Sequence, residues 1–220
     1  MASENIILNP NEPRHEFMVY KDNARSIILK TIEGTSEVFW ILGKTGIGKT
    51  TMLQWLQEFG PLYKVEPIMI HGGENLTLDE VKTEVEQAIS PSFFSRVFLR
   101  KQVIERPVLL LIDEAEYITD ETVFEYLISK LDAPGLRLSV VLASVDVVDA
   151  IVEKHLKGRD VEKIRLTMPP ADQILDMMKR RIEAAGGEGY RPFGKQMVED
   201  IVESSTTIRD VLIKLEEASR

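Results

Sequence analysis

The run Gly43-Lys-Thr-Gly46-Ile-Gly48-Lys49-Thr50 constrains this chain more than any other feature. A glycine, four residues and then Gly-Lys-Thr is the spacing of a phosphate-binding loop. The preceding stretch, Glu37-Val-Phe-Trp-Ile-Leu42, is apolar and β-prone, and Thr50 to Phe59 has helical spacing. A strand that turns through such a loop into a helix presents consecutive backbone N–H groups at the positive end of a helix dipole. Residues Gly43, Lys44, Thr45, Gly46, Ile47, Gly48, Lys49, Thr50 and Thr51 are expected to wrap the phosphates of a nucleotide. In that arrangement Lys49 would reach the β- and γ-phosphates, and the Thr50 hydroxyl would ligate Mg2+.

The rest of the chain supplies a frame for this loop. Helical spacing is predicted over 22–32 with Asp22 as N-cap, then over 78–89, 121–131 and 147–156. Strands are predicted over 37–42, 64–70, 108–112, 138–143 and 161–167. Strands alternating with helices imply a five-stranded parallel sheet covered on both faces, an α/β P-loop core. Pro169-Pro170 marks a boundary, beyond which only helices are read, over 171–185, 193–204 and 207–218. The expected division is an extended N-terminal arm over 1–20, a nucleotide-binding core over 21–169 and a helical lid over 170–220.

Composition narrows the class. A chain of 220 residues with 44% apolar residues can bury a sizeable core. A net charge of −9 argues against coating nucleic acid with the whole surface, though a local basic patch is compatible with it. No cysteine is present, which excludes disulfides, cysteine zinc sites and thiol catalysis. No strictly apolar run is longer than Val108 to Ile112, far short of the roughly 20 residues a membrane span needs. The first residues carry no secretion signal, so a cytoplasmic location without membrane contact is expected.

That same run, Val108-Leu-Leu-Leu-Ile-Asp113-Glu114, ends in two carboxylates and resembles the second nucleotide-site motif, Walker B. Its lack of alternation predicts a strand buried on both faces. Asp113 would hold Mg2+ through the water shell that this ion retains. Glu114 would orient and deprotonate the attacking water, which favours hydrolysis over binding alone.

With both motifs placed, the chain resembles the AAA+ ATPases, and within them the origin-recognition and replication-initiator clade, over roughly Tyr20 to Leu215. The helix before the loop, Ile112-Asp-Glu-Ala115, and the succession strand, helix, strand, Pro-Pro, helical lid carry the likeness. The resemblance implies ATP and Mg2+ as cofactors and homo- or hetero-oligomers that hydrolyse ATP at subunit interfaces. It implies a polar sensor at the end of the fourth strand, where Ser144 stands. The clade usually has Asn one residue later, where this chain has Val145, and Ser144 could equally cap the next helix. It implies an arginine finger before the last core strand, for which Arg159 is placed and Arg165 is the fallback. The competing reading of Arg159 is a surface ion pair with Asp160. Arg209, early in the third lid helix, takes the place of the second sensor, which would couple nucleotide state to lid angle.

One segment is basic. Between Ser92 and Arg106, Arg96, Arg100, Lys101 and Arg106 face a single acid, Glu105. It occupies the stretch in which initiators carry a DNA-contacting insertion, so Arg96, Arg100 and Lys101 are candidates for phosphate contacts and Phe93 or Phe94 for base stacking. An amphipathic helix with buried phenylalanines, Phe94, Val97, Phe98 and Lys101 following helical spacing, is the reading the pattern favours over DNA contact. Lys179-Arg180-Arg181 reads as the solvated end of a lid helix, His15, His71 and His155 lack metal spacing, and Trp40 and Trp55 read as core. By analogy with AAA+ proteins, Phe17 to Tyr20 would approach the adenine. The function expected is an ATPase of DNA replication or a mobile element. The alternative is a regulatory ATPase or nucleotide switch that acts on protein partners without DNA.

Overall fold

The computed structural model describes residues 9–35, 37–72, 76–89, 106–145 and 150–219. Five strands form one parallel sheet in the order β2-β3-β4-β1-β5: β1 Val38–Leu42, β2 Glu66–His71, β3 Val108–Asp113, β4 Leu138–Ser144 and β5 Val161–Arg165. Every residue of β1, β3 and β4 is buried, whereas the edge strands β2 and β5 are only partly covered. The residues explain the difference. Continuous apolar runs such as Val108-Leu-Leu-Leu-Ile suit a strand covered on both faces, while Val161-Glu-Lys-Ile-Arg suits an edge. Pro67 within β2 is tolerated for the same reason, since an edge strand has one side free of ladder bonds.

The helices among the described residues are α1 Lys21–Glu33, α2 Lys49–Phe59, α3 Leu78–Ile89, α4 Glu121–Leu131, α5 Ala150–Leu156, α6 Ala171–Ala184, α7 Lys195–Glu203 and α8 Ile208–Ala218. Side-chain caps set the starts of three of them. Thr77 and Glu80 cap α3 reciprocally: Thr77 Oγ1 accepts from the Glu80 amide at 3.3 Å and Glu80 Oε2 from the Thr77 amide at 2.9 Å. Asp120 caps α4 through the Thr122 amide, and Thr207 caps α8 through the Asp210 amide. No described helix is long and apolar enough to cross a membrane.

The elements match the periodicities with local differences. Asp22 lies inside the first turn of α1 and is not its cap. β2 begins two residues later than its apolar pattern, because Gly60–Tyr63 forms a 3-10 turn closed by Lys64 in the left-handed region at φ 62°. The N-terminal segment is not wholly extended. His15–Phe17 forms a 3-10 turn whose Phe17 is buried. The predicted start of α5 over 147–149 lies outside the described residues.

The chain forms two compact units. One contains residues 22–42 and 56–164, hence nearly the whole sheet with α1, α3, α4 and α5. Its core joins Trp40 and Leu42 of β1 to Leu110 and Ile112 of β3, Val140 and Leu142 of β4, and Phe124 and Leu127 of α4. The other contains residues 1–21, 43–55 and 165–220, so the phosphate loop groups with the N-terminal segment and the three C-terminal helices. Its core is Phe17 with Ile174, Met177, Met178, Val198, Val202, Val211, Leu212 and Leu215.

Candidate functional site

In the unit that holds the loop, residues 43–48 turn tightly and α2 begins at Lys49. Two loop glycines take the left-handed region, Gly46 at φ 79° and Gly48 at φ 111°. Gly46 is further confined by the lid. The Arg209 amide donates to its carbonyl at 3.0 Å, and a Cβ at this position would stand 2.6 Å from Arg209 Cβ. Lys49 folds back along the loop, its Nζ donating to the Gly43 carbonyl at 2.8 Å and the Lys44 carbonyl at 3.3 Å. The ammonium is thus held over the loop by main-chain oxygens.

Arg209 is the second residue of α8, and its place is fixed by the helix cap. Asp210 accepts from the Thr206 amide at 3.1 Å and pairs with Lys214 at 3.3 Å. The Thr206 amide is the largest cause, and Lys214 a further one, that holds the Asp210 carboxyl below the usual range. The Arg209 side chain runs to the N-terminal segment, where Nε donates to the Pro10 carbonyl at 3.2 Å. Gly46→Ala should therefore unseat α8 from the loop. The forbidden φ and the clash together should lower stability by about 2–3 kcal/mol and weaken nucleotide binding in parallel, measured by thermal melts and calorimetry.

The same unit contains a hollow lined by Phe17, Met18, Tyr20, Gly48, Thr51, Met177, Arg181 and Ile208, among others. Tyr20 closes one side, its hydroxyl donating to the Thr167 carbonyl at 2.8 Å, and burial raises its pKa above the ordinary phenol value. Phe17 to Tyr20 thus line a cavity beside Gly48. Arg181 corrects the sequence reading. Lys179 and Arg180 are solvated and pair along the helix with Glu183 and Asp176, but Arg181 is 4% exposed. Its guanidinium lies 4.9 Å from the centre of the Phe17 ring, and burial brings its pKa down to about 10. The signal was present in the spacing, since Ile174, Met177, Met178, Arg181 and Ile182 fall on one helical face.

In the unit that holds the sheet, the carboxyl ends of β1, β4 and β3 share one edge, with Leu42 opposite Ser144 and Ile112 opposite Leu142. Asp113 closes β3 and is 3% exposed, its Oδ1 accepting from the Glu114 amide at 3.0 Å. Gly72 donates to the Asp113 carbonyl at 2.7 Å, and any Cβ there would collide with the Asp113 and Glu114 main chain. Glu114 is exposed and sits in the left-handed region at φ 52°, ψ 41°. That conformation is uncommon for a side chain of this kind and turns the chain sharply off the strand end. The Asp113 carboxylate is a hard oxygen donor of the kind Mg2+ takes, and among the described residues no group of three or more His, Cys, Asp or Glu side chains could hold a metal ion.

Ser144 ends β4 fully buried, and its Oγ accepts from the Trp40 indole at 2.8 Å. Arg159 engages partners within its own unit. Nη1 reaches Glu37 at 3.3 Å and Nη2 reaches Asp132 at 2.6 Å, with Glu37 just before β1. This places Arg159 at the amino edge of the sheet, opposite the edge that carries Asp113 and Ser144. Arg165 is exposed at the end of β5. His155 stacks on Phe124 and pairs with Glu121, a structural contact. Arg96, Arg100, Lys101, Phe93 and Phe94 lie outside the described residues.

No family model and no curated protein matches the sequence. Solved structures do match its fold. Cdc6p from Pyrobaculum aerophilum is 14% identical with a TM-score of 0.61, over 98% of this chain and 67% of that one. A DNA replication initiation factor is 16% identical with a TM-score of 0.57, over 90% of this chain and 60% of that one. AMPPCP-bound DnaA from Aquifex aeolicus is 15% identical with a TM-score of 0.54, over 90% of this chain and 61% of that one. The chain therefore spans about three fifths to two thirds of the length of these proteins. At such identities the likeness is one of fold, and that fold is an α/β P-loop fold with a five-stranded parallel sheet.

Proposed function

For a chain with this α/β P-loop fold, we propose that it binds ATP with Mg2+ and hydrolyses it as an AAA+ ATPase, acting on DNA in replication or in a mobile element. The observation that carries this is the loop itself: left-handed glycines and a lysine held over main-chain carbonyls at the start of α2, with Arg209 seated on Gly46. An AMPPCP-bound protein among the neighbours of this fold supports the nucleotide reading.

Lys49 binds the β- and γ-phosphates once its Nζ leaves the carbonyls of Gly43 and Lys44, and the loop amides cradle the rest. Thr50 and Asp113 are the residues that would hold Mg2+, which would supply neutralisation of phosphate charge. Glu114 takes the proton from the attacking water, helped by its exposure at the strand end. Ser144 donates to the nucleotide or that water. Arg209 reports nucleotide state to the lid. Arg159 is the candidate for a finger that acts on a neighbouring subunit, for which its ion pairs with Glu37 and Asp132 have to open. The DNA arm of the proposal rests on Arg96, Arg100 and Lys101.

The test is phosphate release from ATP with Mg2+, together with DNA binding measured across a salt series with ATP present. Turnover and a steep salt slope are expected, and Arg96→Ala/Arg100→Ala/Lys101→Ala should flatten the slope by about three counterions. Turnover with no salt-dependent DNA binding would favour the regulatory ATPase that works on protein partners. No heat of ATP binding would remove the reading altogether.

A further inference from the structure

We propose that Trp40 is a positioning residue for Ser144, fixing that hydroxyl as a donor toward bound nucleotide or its attacking water. The inference rests on the ATPase reading and deepens it.

A tryptophan indole N–H can only donate, whereas a serine hydroxyl has one proton and two acceptor sites. The 2.8 Å contact between Trp40 Nε1 and Ser144 Oγ therefore has one possible polarity: Ser144 accepts. Its own proton must point elsewhere. The neighbouring acceptor is the Val145 carbonyl at 3.3 Å, a long and local bond. An anionic phosphate oxygen or a polarised water would capture that proton more strongly, because bonds to charged acceptors are about twice as strong as neutral ones. Accepting from the indole also polarises the hydroxyl and makes it a better donor.

The indole is itself immobilised. Trp40 is 1% exposed in the interior strand β1, and its ring packs in the sheet core with Leu42 and Leu142. Lys163, on the adjacent β5, lies 5.0 Å from the ring centre and is anchored by Glu153 at 3.0 Å. The register sets Trp40 opposite Leu142 and Leu42 opposite Ser144, so the indole leans along its strand toward the carboxyl edge to meet the hydroxyl. From the other side, Glu116 accepts from the Val145 amide at 3.3 Å, which fixes the main chain just beyond Ser144. A core tryptophan that merely needed a partner could have used any carbonyl. Here it selects the hydroxyl at the strand end, at the sheet edge that also carries Asp113.

The primary test uses emission in the Trp55→Phe protein, in which Trp40 is the sole remaining tryptophan of the original two. AMPPCP with Mg2+ should shift Trp40 emission, ADP with Mg2+ should shift it less, and Ser144→Ala should erase the difference while calorimetry still reports binding. In turnover assays Trp40→Phe should lower kcat about tenfold with KM within about twofold, as for a group that acts only in the reaction step. The double change Trp40→Phe/Ser144→Ala should be no worse than Ser144→Ala alone. Equal emission changes with AMPPCP and ADP, wild-type kcat in Trp40→Phe, or defects that multiply would each overturn the assignment. If ATP binds without turnover, the emission decides alone. Absent ATP binding in the wild-type protein would instead defeat the ATPase reading and this inference with it.

Discussion

Lys49→Ala should abolish high-affinity nucleotide binding, raising the Kd for ATP by at least about 100-fold and removing turnover. Truncating one member of a buried, hydrogen-bonded charge pair costs about 2–5 kcal/mol, and 1.4 kcal/mol is a factor of ten in affinity. The ammonium here does two things. Without ligand it spans the Gly43 and Lys44 carbonyls, and with ligand it would exchange them for phosphate oxygens. The alanine variant thus loses both the ligand contact and the preorganised loop. Thermal melts give a second readout by linkage. ATP at 100 times its Kd should stabilise the wild-type protein by about 2.7 kcal/mol and should leave Lys49→Ala unmoved. An ATP-dependent rise in Tm that survives in Lys49→Ala would show that the nucleotide binds elsewhere.

Glu114→Gln should separate binding from chemistry. The amide keeps the shape and loses the base, so kcat should drop by about 10²–10⁴ while the Kd for ATP stays within about twofold. The conformation of this residue adds a sharper contrast. Glu114 occupies the left-handed region at φ 52°, where glycine is free of strain. Glu114→Gly should therefore gain about 0.5–1 kcal/mol of stability and still be inactive. A side chain kept in an unfavourable conformation at the cost of stability fits a residue retained for chemistry. Unchanged turnover in Glu114→Gln would remove Glu114 as the base.

Much of this architecture is readable along the chain because it follows from local rules. The continuous apolar runs of β1, β3 and β4 announce strands covered on both faces, and the Pro169-Pro170 pair precedes the change to helices. The phosphate loop is legible because its chemistry needs glycines and a lysine at set intervals within one short segment. Arg181 shows the opposite case. Its neighbours Lys179 and Arg180 suggest a solvated run, but helical geometry turns Arg181 alone inward onto Phe17, some 160 positions earlier in the chain. Arg159 is similar. Its adjacent Asp160 was the natural partner by sequence, yet the fold supplies Glu37 and Asp132.

The chain by itself determined the strand–loop–helix unit, the paired carboxylates where β3 ends and the succession of sheet and C-terminal helices, since each depends on residues close in sequence whose periodicity or backbone freedom admits few alternatives. Only the tertiary structure decided that Gly46 bears on Arg209, that Gly72 is pressed against the Asp113 turn, and that Trp40 holds Ser144. Those contacts join segments roughly 40 to 160 residues apart. Which distant groups meet is set by strand order and helix docking, and neither is written in any local pattern.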